Sequence, residues 1–318
     1  VSLILDDAWI WDFWVARDGP TWHLFFLRAP RSLDDPDLRH RHAVIGHARS
    51  ADLRTWEVLG DVVVPGGEGA WDDLATWTGS VVRAGDTWWM FYTGVSTVDG
   101  GKVQRIGVAT STDLDRWEKS RANPLLETDA RWYETYDPSR WYEEAWRDPW
   151  VFRDPDGDGY HMFLTARSLS VPAASAGVIG HARSPDLVHW MAQPPLVTPG
   201  DFGHLEVPQY VFLDGKHYLL FSVTGDMQPD AHSGRAVTGV GYFVADAFGG
   251  PYREGPTPFI SADGVGRLYA GKIILDGGQP VFLATLAHSG DGRYLGGISD
   301  PMPVRVGRDG RLTLTAGA

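Results

Sequence analysis

The 318-residue chain contains no cysteine, so disulfides, thiol nucleophiles and thiolate metal sites are excluded. No apolar run approaches the ~18 residues needed to cross a bilayer, and the N-terminus shows no signal-peptide pattern. Positive charge is also in deficit. Lys and Arg number 28 against 41 Asp and Glu, a net charge of −13. That balance argues against nucleic acid or an anionic membrane as partner, and suits a protein acting on neutral small molecules. The 11 histidines show no H-E-x-x-H spacing, and neither a metal nor a cofactor is expected. The chain begins at Val1, as a trimmed or processed protein would; cytoplasmic and secreted locations both remain open, as does the oligomeric state.

Aromatic residues are plentiful. The 15 Trp, 11 Tyr and 13 Phe fill cores, but flat rings also stack on the apolar faces of sugars. Helical periodicity is nearly absent. Instead one pattern recurs: "VIGHARSADLRTW" from Val44, "RIGVATSTDLDRW" from Arg105, "VIGHARSPDLVHW" from Val178 and the degenerate "GYFVADAFGGPY" from Gly241. The shared glycines, Gly46, Gly107, Gly180 and Gly241, are 61, 73 and 61 residues apart. Each copy reads as a strand followed by a Ser-x-Asp-Leu turn. Ahead of each lies a hairpin with Gly or Asp-Gly at its tip, and a fifth hairpin, "LDGGQPVFLATL", follows the last copy.

Five strand groups of this kind predict an all-β five-bladed propeller, residues 1–318 forming a single domain. A two-sheet sandwich is the competing architecture, but it leaves the repeat unexplained. Ring closure is expected to pair "VSLIL" with the last blade. "ARWYETYDPSRWYEEAW" is broken by Pro138 and reads as a loop on the rim, rich in rings for sugar stacking. "DPDGDG", residues 154–159, resembles half a calcium loop, yet Thr165 stands where an EF-hand needs Glu; a hairpin turn is expected.

The segment opening each blade lines the central channel of a propeller. Three of the five carry one acid each at a comparable place: Asp12 in "WIWDFW", Asp148 in "AWRDPWVF" and Glu206 in "HLEVPQYVF". Three carboxylates from three blades are thus expected in one funnel, where like charges push one toward its protonated form. One ionised and one protonated carboxyl is the arrangement that splits a glycosidic bond. Candidate sugar-binding residues on the same segments are Trp11, Trp14, Trp77, Ser80, Arg147, His204 and Tyr269.

These motifs resemble glycoside hydrolase families 32 and 68, the fructan-active glycosidases and fructosyltransferases. "WDFW" resembles the W-D-x-W opening of the levansucrase side, "WTGS" its W-S-G-S segment, "WRDP" the shared R-D-P motif, and "EVP" the E-x-P segment; "FYTG" looks more like the invertase side. The resemblance implies Asp12 as nucleophile, Glu206 as acid and then base, Asp148 as transition-state stabiliser and Arg147 as a binder of hydroxyls. A guanidinium beside Asp12 and Asp148 should hold both as anions, while the apolar neighbours of Glu206 should keep it protonated. The chain departs from the invertase pattern at Trp11, Phe13 and Leu27, where Asn, Pro and Gln are usual, and from levansucrases in having Val-Pro after the acid. Family 43 furanosidases share the fold but typically show E-G-P.

The implied activity is retaining hydrolysis of β-fructofuranosides, with exo-type attack. The alternatives are fructosyl transfer, hydrolysis of another furanoside such as an arabinofuranoside, and a non-catalytic sugar-binding propeller. A small carbohydrate is the expected partner.

Overall fold

Tight turns set the architecture. Asp214-Gly215 and Gly277-Gly278 each place two successive residues at positive φ (47° and 77°; 56° and 83°). That conformation matches the twist of a two-residue hairpin, and glycine adopts it without steric cost. The computed structural model describes residues 2–197, 200, 202–227 and 237–315. After a short strand β1 (Leu3–Ile4), blade one consists of β2 (Ala8–Asp18), β3 (Thr21–Pro30), β4 (Val44–Ser50) and β5 (Glu57–Val63). Blade two is β6 (Ala75–Ala84), β7 (Thr87–Val95), β8 (Gln104–Ser111) and β9 (Glu118–Lys119). Blade three is β10 (Trp146–Arg153), β11 (Tyr160–Arg167), β12 (Gly177–Ser184) and β13 (Met191–Gln193). Blade four is β14 (Glu206–Leu213), β15 (Lys216–Val223), β16 (Thr238–Ala245) and β17 (Arg253–Asp263). All four are antiparallel meanders.

Blade five departs from this plan. Strand β18 (Leu268–Asp276) pairs with β19 (Gln279–His288), and β19 then pairs with both β20 (Tyr294–Ile298) and β21 (Met302–Val306). Strand β22 (Leu312–Leu314) adds to β21. Strand β1 completes the sheet by pairing Leu3 with Ile298 and Ile4 with Gly297. This is the predicted ring closure: the start of the chain is built into the last blade. The innermost strands β2, β6, β10, β14 and β18 touch one another in a closed cycle, which makes the molecule a five-bladed β-propeller.

Among the described residues the buried apolar side chains fall into five clusters, one for each interface between neighbouring blades. The repeated glycines make room for an aromatic ring on the neighbouring strand of the same blade. A Cβ on Gly46 would come within 2.6 Å of the Phe26 ring, and one on Gly241 within 2.7 Å of Phe221. No helix forms between residues 127 and 145. Tyr133 from that stretch is fully buried in the packing of blade three, as is Trp146, which opens β10, whereas Trp132, Tyr136 and Tyr142 are exposed.

Candidate active site

Every inner strand is interrupted by a bulge at the same depth. The register with its hairpin partner slips between Trp11 and Phe13, Trp77 and Gly79, Arg147 and Trp150, Glu206 and Gln209, and Tyr269 and Lys272. In four blades the bulged residue takes positive φ: Asp12 31°, Asp148 59°, Val207 50° and Ala270 49°. Non-glycine residues pay roughly 1–2 kcal/mol for left-handed geometry. A hydroxyl from the second strand of the preceding blade offsets that cost by accepting the freed N–H. Thr285 accepts from Asp12 (3.1 Å), Thr93 from Asp148 (3.0 Å), Thr165 from Val207 (3.2 Å) and Ser222 from Ala270 (3.0 Å). Blade one has Leu27 at that register, and Thr78, the bulged residue it would serve, keeps negative φ. Bulges commonly re-aim a side chain; here they turn the acids toward the channel.

Asp12, Asp148 and Glu206 all line one cavity of about 420 Å³ at the centre of the ring. Each carboxylate is held by an adjacent blade. The Thr78 hydroxyl donates to Asp12 Oδ2 at 2.6 Å. The Thr165 hydroxyl donates to Asp148 Oδ2 at 2.6 Å, and the Val207 N–H donates to the same oxygen at 3.1 Å. Glu206 accepts from the Tyr269 hydroxyl at Oε2 and from Arg147 Nη2 at Oε1, 2.5 Å away.

The electrostatics differ from the sequence expectation. Arg147 does not serve chiefly Asp12 and Asp148. Its Nη2 goes to Glu206, its Nη1 to Glu143 (2.8 Å) and Gln104 (3.0 Å), and its Nε faces Asp148 Oδ2 only at 3.7 Å. Burial pushes Glu206 upward, but the facing His204 ring, the Arg147 charge and the Tyr269 hydroxyl outweigh it and hold the carboxyl well below its usual range. Asp12 goes the other way. Burial, then repulsion from Asp148 and Glu206, push it up to about 7 against the Thr78 hydrogen bond and the charge of Lys272. Asp148 is raised by burial, with Arg147 opposing. Tyr269 is pushed far up by burial and by Glu206, so its hydroxyl stays a donor.

The other sequence candidates divide. Trp11, Trp77, Arg147 and Tyr269 line the cavity. Trp14 does not: it is fully buried between blades one and two, stacked on Phe25 at 6.3 Å. Ser80 does not either, because its Oγ accepts the Val151 N–H at 2.9 Å and fastens blade two to blade three. Both residues stand two places after a bulge, where the strand has turned its side chain into the next interface. His204 sits behind the acids, its Nδ1 3.3 Å from Arg147 Nη2 and 3.6 Å from Glu206 Oε1. From the rim loop, Tyr142 reaches the cavity, while Trp141 is stacked under the Arg167 guanidinium at 3.7 Å.

Several lining residues carried no sequence signal. Arg39 and His40 come from the 3-10 helix Pro36–His42, inserted between β3 and β4. Arg39 lies 4.2 Å over the Tyr294 ring and 5.5 Å from that of Trp11. The His40 carbonyl accepts the Trp77 indole N–H at 2.7 Å, and burial drives the imidazole down to about 3, leaving it neutral. Glu143 arrives on the rim loop. The hydroxyls at Thr93, Thr165, Ser222 and Thr285 were legible in principle, as a Thr or Ser recurring at one register of four hairpins. Outside the cavity, His23 and His47 of blade one and Asp115 of blade two set ligand atoms within 4.8 Å of one another, but Arg49 lies 3.8 Å from the same carboxylate and opposes a cation there.

Comparison with known proteins agrees with this architecture. An extracellular sucrase of Zymomonas mobilis is 27% identical over 269 residues, covering 70% of this chain; the chain spans 63% of that protein's length. A levansucrase of Pseudomonas savastanoi pv. glycinea is 27% identical and covers 93% of this chain and 83% of its own. Among solved structures, the inulosucrase from Halalkalicoccus jeotgali bound to kestose superposes with a TM-score of 0.81 at 24% identity, covering 98% of this chain and 88% of its own. A Bombyx mori GH32 β-fructofuranosidase gives 0.72 at 21%, covering 99% and 64%. Residues 15–288 match the glycosyl hydrolases family 32 N-terminal domain, and the chain belongs to that family.

Proposed function

We propose that the protein is a retaining glycosidase for β-fructofuranosides, such as sucrose or fructo-oligosaccharides. The observation that carries this is the convergence of Asp12, Asp148 and Glu206, from three separate blades, on one cavity. Family membership supports it, as does the sugar chemistry named for the sucrase and levansucrase relatives.

Asp12 attacks the anomeric carbon and forms a sugar–enzyme ester, while Glu206 gives its proton to the departing oxygen. Water then enters, Glu206 takes its proton, and the ester opens with overall retention. Asp148 and Arg147 hold ring hydroxyls, and the Asp148 carboxylate stabilises the positive charge that develops on the ring. Trp11, Trp77 and Tyr142 supply apolar walls. In the cavity, protein groups alone favour the ionised form of Glu206 and raise Asp12 toward neutrality. Attack needs the reverse distribution. Substrate hydroxyls that take over hydrogen bonds from Arg147 and Tyr269 weaken the hold that keeps Glu206 ionised and favour its taking up the proton.

Incubation with sucrose, inulin, levan and arabinofuranosides, followed by anomeric analysis of fresh product, tests the assignment. Fructose released with retention, and lost in Asp12→Ala, is expected. Inverted product, or full activity of Asp12→Ala, defeats it. Transfer to a second sugar instead of water is the neighbouring possibility, favoured by the levansucrase relatives; oligosaccharide products at high sucrose would establish it.

A further inference from the structure

Lysine is scarce in this chain: Lys102, Lys119, Lys216 and Lys272 are all there are. One of the four is placed where lysine costs most. Lys272 is 2% exposed, on the inner strand of blade five. It stands two residues after the bulge, the register occupied in the other blades by Trp14, Ser80, Trp150 and Gln209. Those four are uncharged. Burying an ammonium carries a large desolvation cost unless charge compensates it. Two carbonyls, Val207 O at 2.7 Å and Pro208 O at 3.3 Å, accept its protons, and its Nζ lies 5.3 Å from the Trp150 ring centre. These are dipoles and a ring face, not counter-charges. The ionic groups acting on it are Asp12 and Asp148, from blades one and three.

Charge on the floor of the cavity explains why a cation is required there. Arg147 is shared among Glu143, Glu206 and, at 3.7 Å, Asp148, and makes no ion pair with Asp12 among the described residues. His204 and His40 are kept neutral by burial. Among the described residues, the ionisable groups that bear most on Asp12 are Asp148, Glu206, Lys272, and the Tyr269 and Tyr294 hydroxyls. Among these Lys272 alone is a cation.

We infer that Lys272 is a positioning residue: a buried counter-ion beneath the acids, which allows Asp12 and Asp148 to be ionised together and so keeps Asp12 ready to attack. This deepens the proposed function and rests on Asp12 being the nucleophile. Lys272 touches no substrate, because it lies in the layer below the cavity lining. Burial depresses its own ammonium to about 7, with Asp12 and Asp148 opposing, so lysine and acids stabilise each other's charged forms.

The test is the pH profile of kcat/KM in Lys272→Met, a change that keeps length and apolar bulk. The acid limb should move upward by about one pH unit or more, the size of effect an adjacent opposite charge has on a carboxylate, with KM on the alkaline plateau changed little. A lower plateau with an unmoved limb would mean that Lys272 only anchors the Val207 bulge, and would overturn the inference. A second measurement holds even if Lys272→Met does not fold. The ε-carbon resonance of Lys272 in isotopically labelled protein, one of four lysine signals, is titrated in the wild-type chain and in Asp12→Asn. Its pKa should fall when the Asp12 charge is removed; an unchanged value overturns the inference. If Asp12→Asn retains full turnover, the nucleophile assignment itself is what fails, and the two failures are distinguishable.

Discussion

The Thr78 hydroxyl of blade two donates to the Asp12 carboxylate of blade one across 2.6 Å. That bond stabilises the anion at a site where burial and two neighbouring carboxylates oppose it. Thr78→Val removes the donor at nearly constant volume. A hydrogen bond to a charged group contributes about 1.5–3 kcal/mol, so Asp12 should titrate still higher than about 7. Activity that depends on ionised Asp12 rises with pH through that pKa, so the acid limb of kcat/KM should move to higher pH, with a loss at pH 6 of about tenfold or more. Thr78→Ser should restore the profile. Identical profiles for Val and Thr would show that Asp12 is not the group titrating.

Thr285 tests the bulge rather than the charge. Its Oγ1 accepts the Asp12 N–H at 3.1 Å, at a residue of positive φ. Thr285→Val leaves that N–H without its acceptor, at a cost of about 1–3 kcal/mol. Melting should therefore fall by several degrees, and kcat should fall with KM less affected, because the nucleophile loses its aim. A variant that melts and turns over like the wild type would show that the bulge is held by the strand alone.

Two tryptophans three residues apart should behave oppositely. Both are buried between blades one and two, but Trp14 lies against Phe25 away from the cavity, whereas Trp11 borders it. Trp14→Ala opens a void between blades one and two and should cost about 3–5 kcal/mol of stability, with KM near wild type in whatever remains folded. Trp11→Ala should raise KM with a smaller thermal penalty. Calorimetry together with initial rates on sucrose separates the two effects.

How far the sequence could be read follows from what repeats and what does not. The blades were legible because Gly46, Gly107, Gly180 and Gly241 mark equivalent places, and the acids because each lies on a segment opening a blade. The partition of Trp11 from Trp14 was not legible. Strand alternation puts residues 11, 13 and 15 on one face, but the bulge at Asp12 shifts the phase, and Trp14 lands in the interface. Arg39 and His40 were hidden for a different reason: they sit in the connection between β3 and β4, outside the pattern that the blades repeat. The pairing of Arg147 with Glu206 was also out of reach, because it crosses from blade three to blade four and depends on which way the guanidinium turns.

Two histidine pairs, at equivalent places in blades one and three, make stability depend on acid. His23 Nδ1 lies 2.9 Å from His47 Nε2, and His161 Nδ1 lies 2.8 Å from His181 Nε2, each pair stacked face to face. Burial lowers all four, and lowers His47 and His181 to about 3. The unfolded chain, with ordinary histidines near 6.5, then binds more protons than the folded one between about pH 6.5 and 3. The stabilisation is fully present above pH 6.5 and is lost as pH falls toward 3. Asp12 and Asp148, raised in the folded state, contribute the opposite slope, so the histidine part must be read from a difference. Blade four supplies the substitution, with Tyr218 and Tyr242 at the equivalent positions, their rings 6.1 Å apart. The double variant His161→Tyr, His181→Tyr should show a melting temperature that falls less steeply than the wild type's from pH 6.5 to 4. Parallel curves for the two proteins would mean that the blade-three pair takes up no proton on unfolding.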